Sequence, residues 1–212
     1  KRYSVDGSVI WSADRGAFLY DIALDPDNGY VFTVGSTFSG FQVERWNISN
    51  GGGGAIESAY FDGRATSVCI YRPSSTSYFY TAGAYSSATS PYNFGIGTSF
   101  YTTLSDLHST ANIERMRMDS SGNIYIVGAS TAGITTRKYN NALTQQWTAD
   151  HGATVLCVCV DGAGNVYTGG AVGTGTYTTR KYDSSGNLVW SANHGNSVYG
   201  IAVDTDGNIY TN

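Results

Sequence analysis

Residues 119–152 read DSSGNIYIVGASTAGITTRKYNNALTQQWTADHG, and residues 161–195 repeat this block as DGAGNVYTGGAVGTGTYTTRKYDSSGNLVWSANHG. A third copy opens at Asp204 as DTDGNIYTN and runs to the last residue. The half that it lacks lies at the other terminus, where residues 1–16 read KRYSVDGSVIWSADRG. A repeat that is divided between the two ends of a chain predicts a closed ring.

The composition of the 212 residues is typical of an all-β protein. Gly (27) and Tyr (17) are abundant, whereas charged residues make up only 13% of the chain. Tyr and Thr suit pleated strands, and Gly suits tight turns. A net charge of −4 lacks the basic field that a nucleic-acid partner usually requires. No apolar run approaches the ~18 residues of a membrane-spanning helix, so neither nucleic acid nor membrane insertion is expected.

The three cysteines lie within apolar runs at Cys69, Cys157 and Cys159. Free cysteine behaves as a small hydrophobic residue, so we expect all three in the core. A disulfide between Cys157 and Cys159 is not expected, because two residues that are separated by one strand position are awkward to bridge.

A tyrosine recurs at a nearly constant interval after each turn. The spacings are 48, 47, 42 and 43 residues, for Tyr30, Tyr78, Tyr125, Tyr167 and Tyr210. Periods of about 40–50 residues with several short strands each are typical of propeller blades. One unit divides into four predicted strands, which are residues 154–160, 166–169, 177–182 and 188–192. The first of these strands is apolar on both faces, which favours an inner strand that is flanked by neighbouring blades.

The sequence therefore predicts one all-β domain, a five-bladed propeller of four-stranded antiparallel blades. Residues 1–3 match 180–182, and residues 11–14 match 190–193. The N-terminal outer strands would thus pair with the C-terminal inner strands to close the ring. A fragment of a larger ring, cut at a similar phase, would show the same complementarity. The predicted blades span approximately residues 17–61, 62–107, 111–150, 153–193, and 196–212 together with 1–14.

Two segments carry a resemblance to known families. DSSGNIY at 119–125 and DGAGNVY at 161–167 resemble the bacterial β-propeller repeat called SBBP and NHL-type blades. KYDSSGNLVW at 181–190 resembles the quinoprotein-like repeat, in which a Trp docks one blade on the next. The resemblance implies a propeller fold, but these families include enzymes, binding proteins and scaffolds. The chain lacks the regular Ala-x-Asp opening of the quinoprotein repeat, so we expect no pyrroloquinoline and no other cofactor.

The loops that follow the last strand of three units form the candidate ligand site. In a propeller these loops share one face near the mouth of the channel, where polar side chains could bind hydroxyls, carboxylates or phosphate. The alternative is that these residues only cap the loops and stack on their neighbours. Two matched histidines are too few to predict a metal site. The candidate residues are Asp14, Arg15, Asp150, His151, Asn193 and His194, with Trp11, Trp147 and Trp190 on the adjoining strands.

Two carboxylate patterns have ordinary structural interpretations. The segment from Asp204 to Asn208 has the oxygen spacing of a calcium loop, but it lacks the bidentate Glu that such loops often carry. Asp, Gly and Asn are also common turn residues, and this interpretation is favoured. Asp21 and Glu114 lie on predicted inner strands, where glycosidases built on five blades carry their carboxylates. No catalytic residue is predicted, because the other units have no acid at these positions.

We therefore expect a non-enzymatic binding module that is lectin-like or receptor-binding, with a glycan or protein receptor as its partner. Tyr, Trp and Asn with few charges suit sugar recognition, because aromatic faces stack on sugars and amides bind hydroxyls. An extracellular or virion surface, such as a phage tail, is the favoured location. The alternatives are a structural scaffold or assembly protein without a small ligand, and a carbohydrate-active enzyme.

Overall fold

The computed structural model describes residues 1–12, 18–37, 40–49, 63–72, 78–85, 113–129, 135–172 and 176–212. Within these ranges the chain forms 17 β-strands and no helix. Accordingly, no helix of the described ranges is long and apolar enough to cross a membrane. The all-β prediction is confirmed for this part of the chain.

Two complete blades form four-stranded antiparallel sheets with the strands in sequence order. In the later of the two, the strand bounds agree with the four predicted strands to within about three residues, so the predicted meander is confirmed. The first of these blades, here the third blade, contains β8 (Ile113–Met118), β9 (Ile124–Gly128), β10 (Thr136–Tyr139) and β11 (Gln145–Ala149). The fourth blade contains β12 (Val155–Val160), β13 (Val166–Val172), β14 (Thr176–Tyr182) and β15 (Leu188–Asn193).

Two other blades are described in part. The first blade has three antiparallel strands, β3 (Phe18–Asp25), β4 (Tyr30–Thr37) and β5 (Gly40–Asn47). The second blade has β6 (Gly63–Tyr71) and β7 (Tyr78–Tyr85). The strand predicted at 59–61 and the second half of the unit ending at 107 lie outside the described residues.

The first strands of successive blades pack side by side, in the order β3, β6, β8 and β12. The hydrophobic core accordingly lies in the gaps between blades. Val158 and Val166 of the fourth blade pack with Tyr125 and Val127 of the third blade, and all four are buried. This arrangement explains why the innermost strand is apolar on both faces, since each face contacts a different blade.

Three of the recurring Asp-x-x-Gly-Asn segments form hairpin turns between a first and a second strand, and the segment at Asp183 forms the turn between β14 and β15. In the turn at Asp161, Oδ1 accepts hydrogen bonds from the backbone N–H groups of Ala163 and Asn165, each at 2.9 Å. Its Oδ2 accepts from Asn165 Nδ2 at 2.8 Å and from the hydroxyl of Tyr167 at 3.0 Å. Gly164 takes a φ of +80°, which glycine adopts readily. These bonds confirm the turn interpretation, and the bond from the Tyr hydroxyl recurs in the turns at Asp119 and Asp204.

The two ends of the chain form separate hairpins. β1 (Arg2–Tyr3) pairs with β2 (Val9–Trp11), and β16 (Ile201–Val203) pairs with β17 (Ile209–Thr211). β17 is not hydrogen-bonded to β1, so the predicted clasp between the termini is not formed in this structure and the ring is open. The count of five blades and the closure of the ring are therefore not confirmed.

The cysteines are free thiols. Cys69 and Cys157 are buried and Cys159 is partly buried, which agrees with their predicted place in the core. Burial raises the pKa of the Cys157 thiol to about 11 and that of the other two thiols to about 12. Because the thiolate is the reactive form, burial disfavours the reactive state of these thiols.

Candidate functional site

The candidate ligand loops follow β11 and β15, at the edge that is called here the loop face. The Asp-x-x-Gly-Asn turns lie at the opposite ends of the strands, because the strands alternate in direction. Asp14 and Arg15, which were predicted to join the loop face, lie outside the described residues. The candidate site is therefore described by the two loops of the third and fourth blades.

In the third blade the loop histidine is buried. His151 is 1% exposed, and its Nε2 lies 2.7 Å from Thr168 Oγ1 of the fourth blade. Its backbone N–H donates to Thr135 Oγ1 at 3.0 Å. Burial, together with the positive charge of Arg180, lowers the pKa of His151 from 6.5 to about 3. The imidazole is therefore neutral at physiological pH and joins two blades.

The backbone of the same loop is held by the neighbouring blade. The guanidinium of Arg180 donates from Nη1 to the carbonyl oxygen of Asp150 at 2.9 Å and from Nη2 to that of His151 at 3.5 Å. The exposed carboxylate of Asp150 accepts the backbone N–H of Gly152 at 2.7 Å. In this loop Asp150 is thus the candidate side chain that remains at the surface.

In the fourth blade both candidate side chains are exposed. The Oδ1 atom of Asn193 accepts from the hydroxyl of Thr178 at 2.7 Å. Nε2 of His194 lies 2.8 Å from Thr179 Oγ1 of the same blade. Asn193 and His194 are both exposed, whereas the equivalent His151 is buried. Two copies of one loop therefore differ in whether the histidine faces another blade or the solvent.

The candidate tryptophans lie on the outermost strands, and two of them dock onto a neighbouring blade. Trp147 of β11 donates its indole N–H to the carbonyl oxygen of Ser184 at 3.2 Å, and Lys138 donates to the same oxygen at 3.1 Å. The Trp147 ring covers Gly186, where an added Cβ would lie 2.7 Å from the ring. Its centroid lies 6.1 Å from that of Tyr182 in the fourth blade. These contacts are called the carbonyl clamp below.

The carbonyl clamp occurs a second time at the N-terminal hairpin. Trp11 of β2 donates to the carbonyl oxygen of Ile48 at 3.3 Å, and Arg2 of β1 donates to the same oxygen at 2.7 Å. Ile48 follows β5 of the first blade, in the place that Ser184 has after β14. Trp147 therefore docks one blade on the next, and Trp11 docks the N-terminal hairpin on the first blade.

The third tryptophan has a different environment. Trp190 lies 6.4 Å from Tyr167 of its own blade, measured between ring centroids, as Trp147 lies 6.3 Å from Tyr125. The Trp190 side chain is nevertheless 36% exposed, and its indole N–H has no acceptor among the described residues. The fourth blade thus carries the donor side of a carbonyl clamp on an open edge.

A polar network joins three of the inner strands. The Oδ2 atom of Asp21 on β3 accepts from Ser67 Oγ of β6 at 2.5 Å and from the backbone N–H of Val68 at 3.1 Å. Arg117 of β8 forms an ion pair with the same oxygen at 3.3 Å. Arg115 donates to the carbonyl oxygen of Thr66 at 3.1 Å. The Asp21 carboxylate is therefore bound by three donors, and the network links the first three blades.

No cluster of metal ligands accompanies these groups. Within the described ranges, no group of three or more His, Cys, Asp and Glu side chains could hold a metal ion.

Comparison of the sequence with protein-family models and with curated proteins gives no match. Solved structures do match. One is the β-propeller domain of Cps50 (Swd1) from Myceliophteria thermophila, which is 9% identical with a TM-score of 0.64, over 91% of this chain and 65% of that one. The Dos1 propeller is 11% identical with a TM-score of 0.58, over 86% of this chain and 48% of that one. A protein of unknown function from Bacteroides caccae is 10% identical with a TM-score of 0.58, over 97% and 75%.

The chain has a β-propeller fold. The predicted propeller is thereby confirmed as an architecture, whereas the SBBP, NHL and quinoprotein features are not. The chain spans about two thirds of the Cps50 propeller and about half of the Dos1 propeller. At identities of 9–11% the likeness extends to the fold alone.

Sequence reasoning missed two features of this propeller. The Asp21–Ser67–Arg117 network was signalled by polar residues within otherwise apolar inner strands, but their partners are about 46 and 96 positions apart in the chain. The carbonyl clamp was signalled by the cation and the Trp that recur in three of the units, Lys138 with Trp147, Lys181 with Trp190, and Arg2 with Trp11. Its acceptor is a backbone carbonyl, which no residue type marks, so the sequence could not identify it.

Proposed function

We propose that this propeller is a non-enzymatic binding module of the lectin-like or receptor-binding kind, with its ligand site on the loop face. The observation that carries the proposal is the exposure of Asn193 and His194, which contrasts with the burial of His151. A polar loop side chain that is exposed in one copy of a repeat can contact a ligand, whereas its buried counterpart in another copy cannot.

The exposed groups suit hydroxyl-bearing ligands. Asn193 accepts the Thr178 hydroxyl at Oδ1, which leaves its amide NH₂ to donate. His194 uses Nε2 with Thr179, which leaves Nδ1 for a ligand. The exposed Asp150 carboxylate of the same loop face can also accept from a sugar hydroxyl. This set of one acceptor and two adaptable groups supports a neutral polar ligand such as a glycan on a cell or virion surface.

A glycan array that is probed with the whole chain tests this proposal. We expect discrete hits that weaken at least tenfold in His194→Ala, because each lost polar contact to a buried ligand group is worth about 1.5 kcal/mol or more. Ser185→Ala is the matched control, since this exposed residue of the same blade lies at the opposite edge. Equal binding by wild type and His194→Ala would contradict the assignment of the site.

A scaffold or assembly role without a small ligand is the second candidate. Apolar residues are exposed on the N-terminal hairpin and on the fourth blade, including Ile10 and Val189. They favour a scaffold role, because exposed apolar surface commonly mediates protein contacts. An array without hits, together with a tight protein partner whose binding is unaffected by His194→Ala, would support this role instead.

We propose no catalytic function. Glycoside hydrolysis needs an acid and a base or nucleophile at set distances, and the Asp21 carboxylate is already bound to Ser67 and Arg117. Turnover of a glycoside that is abolished in Glu114→Gln would overturn this proposal and support a carbohydrate-active enzyme.

We also propose that the propeller has five blades, and that the fifth is built from the two terminal hairpins. Support comes from the repeat, in which β1 and β2 match β14 and β15, while β16 and β17 match β12 and β13. Pairing of the N-terminal outer strands with the C-terminal inner strands would close the ring and remove two free sheet edges.

A further inference from the structure

We propose that Lys181, Trp190 and Tyr167 form a docking site for the N-terminal turn of the same chain, residues 4–8. The occupant would contribute the carbonyl oxygen of Val5 and the bare Cα of Gly7. This inference rests on the proposed five-bladed arrangement and uses none of the side chains that are assigned to the ligand site.

The donor side of this site is already built in the geometry of the internal junction. Lys181 lies opposite Trp190 across β14 and β15, as Lys138 lies opposite Trp147. The Lys181 ammonium lies 5.1 Å from the centroid of Tyr167, and that of Lys138 lies 5.3 Å from Tyr125. The two blades therefore present the same cation and indole N–H, but only the third blade has a carbonyl to bind.

The acceptor side is built at the N-terminal hairpin. Arg2 pairs with Trp11 and Tyr3 with Val9, which is the register of Lys181 with Trp190 and of Tyr182 with Leu188. Two equivalent backbone hydrogen bonds close the turn in the N-terminal hairpin and in the β14–β15 hairpin. The N–H groups of Ser4 and Gly7 donate them at 2.8 and 3.0 Å, and those of Asp183 and Gly186 at 2.9 and 3.0 Å. The φ angles of the two glycines are +86° and +89°. By this register Val5 matches Ser184, whose carbonyl is clamped.

The groups that would meet across the proposed contact are exposed at present, whereas Tyr167, on which Trp190 lies, is buried. Val5 is fully exposed, Tyr3 is 56% exposed, and Trp190 is 36% exposed. A Cβ added at Gly7 would meet nothing within 4 Å, whereas one at Gly186 would meet the Trp147 ring. Docking would place Trp190 over Gly7 and beside Tyr3, as Trp147 lies over Gly186 and beside Tyr182.

A second, independent feature is a cavity beside the first blade that would receive the C-terminal hairpin. A cavity of about 400 Å³ separates the N-terminal hairpin from the first blade, and its walls include Trp11, Leu19, Ile22 and Leu24. The last three side chains are 53–63% exposed, although they lie on an inner strand. In the C-terminal hairpin, β16 packs against β12 of the fourth blade. The position of this cavity is the one that β16 would fill beside β3 in a completed fifth blade.

The number of free sites favours the same chain as the occupant. In the N-terminal hairpin, Trp11 is bound to the Ile48 carbonyl, but the turn at residues 4–8 has no docking partner. In the fourth blade, the turn at Ser184 is bound by Trp147, but Trp190 has no docking partner. Between these two described elements, one turn and one Trp thus remain without a docking partner. Joining them within the chain avoids the loss of translational freedom that a second copy would incur.

Substitution of the turn glycine Gly7 by Asn tests the docking, because Asn tolerates a positive φ but adds a Cβ. We expect Gly7→Asn to lower the melting temperature by several degrees, as Gly186→Asn does where the Trp147 ring blocks a Cβ. Gly29→Asn is the matched control, because Gly29 has a φ of +72° and nothing within 4 Å of an added Cβ. If Gly7→Asn behaves like Gly29→Asn, the proposal is overturned.

Two further measurements separate the occupants and need no ligand. Light scattering should give a monomer of 22.6 kDa, and a dimer that dissociates in Gly7→Asn would show that a second copy occupies the site. Acrylamide quenching of Trp190, taken as the difference between wild type and Trp190→Phe, should be weak in the wild type and stronger in Gly7→Asn. Strong quenching in both proteins would contradict docking, whatever the glycan array shows.

Discussion

Trp147 and Trp190 occupy the same position of two successive blades, yet their environments differ. Trp147 is bound to the Ser184 carbonyl and packs on Gly186, whereas Trp190 faces solvent at 36% exposure. The strands that carry them are alike in register and in their neighbouring Lys and Tyr. The comparison teaches that the burial of a blade residue is decided by the next blade rather than by its own blade.

Truncation of these two residues is expected to have the largest effect on stability. Trp147→Ala removes ring packing and a hydrogen bond, and should lower the free energy of unfolding by about 2–3 kcal/mol. Trp190→Ala should lower it by a similar amount if Trp190 docks on the N-terminal turn in solution. Urea denaturation of both variants gives the comparison. A loss below about 0.5 kcal/mol for Trp190→Ala would mean that its edge remains open.

The pH dependence of stability should reveal the buried His151. Its pKa is lowered from 6.5 to about 3, so the unfolded state binds the proton more tightly than the folded state does. The contribution of His151 is complete above pH 6.5 and is lost as the pH falls from there towards 3. The slope is about 1.4 kcal/mol per pH unit, which gives a loss of about 2 kcal/mol between pH 6.5 and 5.

Denaturation curves of wild type and His151→Gln across pH 7 to 5 measure this term. Glutamine keeps a hydrogen-bonding group but does not titrate, so its profile should be flatter by the stated amount. The other histidines stay in both proteins, and the difference between the profiles therefore belongs to His151. Parallel profiles would contradict the buried, neutral imidazole.

The turn tyrosines give the smallest expected effect and the same contrast between blades. Tyr167 is buried and donates to Asp161 at 3.0 Å, while Tyr210 is 59% exposed and donates to Asp204 at 3.0 Å. Tyr167→Phe should cost about 1 kcal/mol, which is typical of one hydrogen bond. Tyr210→Phe should cost only a few tenths of a kcal/mol if the terminal hairpins remain apart. It should cost more if they pair and Arg2 covers the aromatic ring of Tyr210. Thermal unfolding of the two variants distinguishes these outcomes.

Local sequence signals predicted the blades well, because each depends on neighbouring residues. The strands of the fourth blade follow from periodicity, and the Asp161 turn follows from Asp, Gly and Asn at fixed offsets. The apolar character of β12 correctly indicated packing on both faces. These features require only short-range hydrogen bonding and strand alternation.

The candidate site was predicted less completely, because its geometry depends on contacts between blades. His151 and His194 occupy equivalent positions in the sequence, but only the former reaches a neighbouring blade through Thr168. No signal within either repeat distinguishes the two environments. Likewise, a free Trp190 cannot be told from a docked Trp147 until the next blade is placed.

Hydrogen exchange of the β17 amides tests the central claim, that the terminal hairpins build one blade, most directly. In the open arrangement only the amides that face β16 are paired, because strand amides point alternately to the two sides. If β17 also pairs with β1, then Ile209, Tyr210 and Thr211 should all exchange slowly, at rates like those of β13. Slow exchange that is confined to the amides facing β16, with rapid exchange at the others, would contradict the claim.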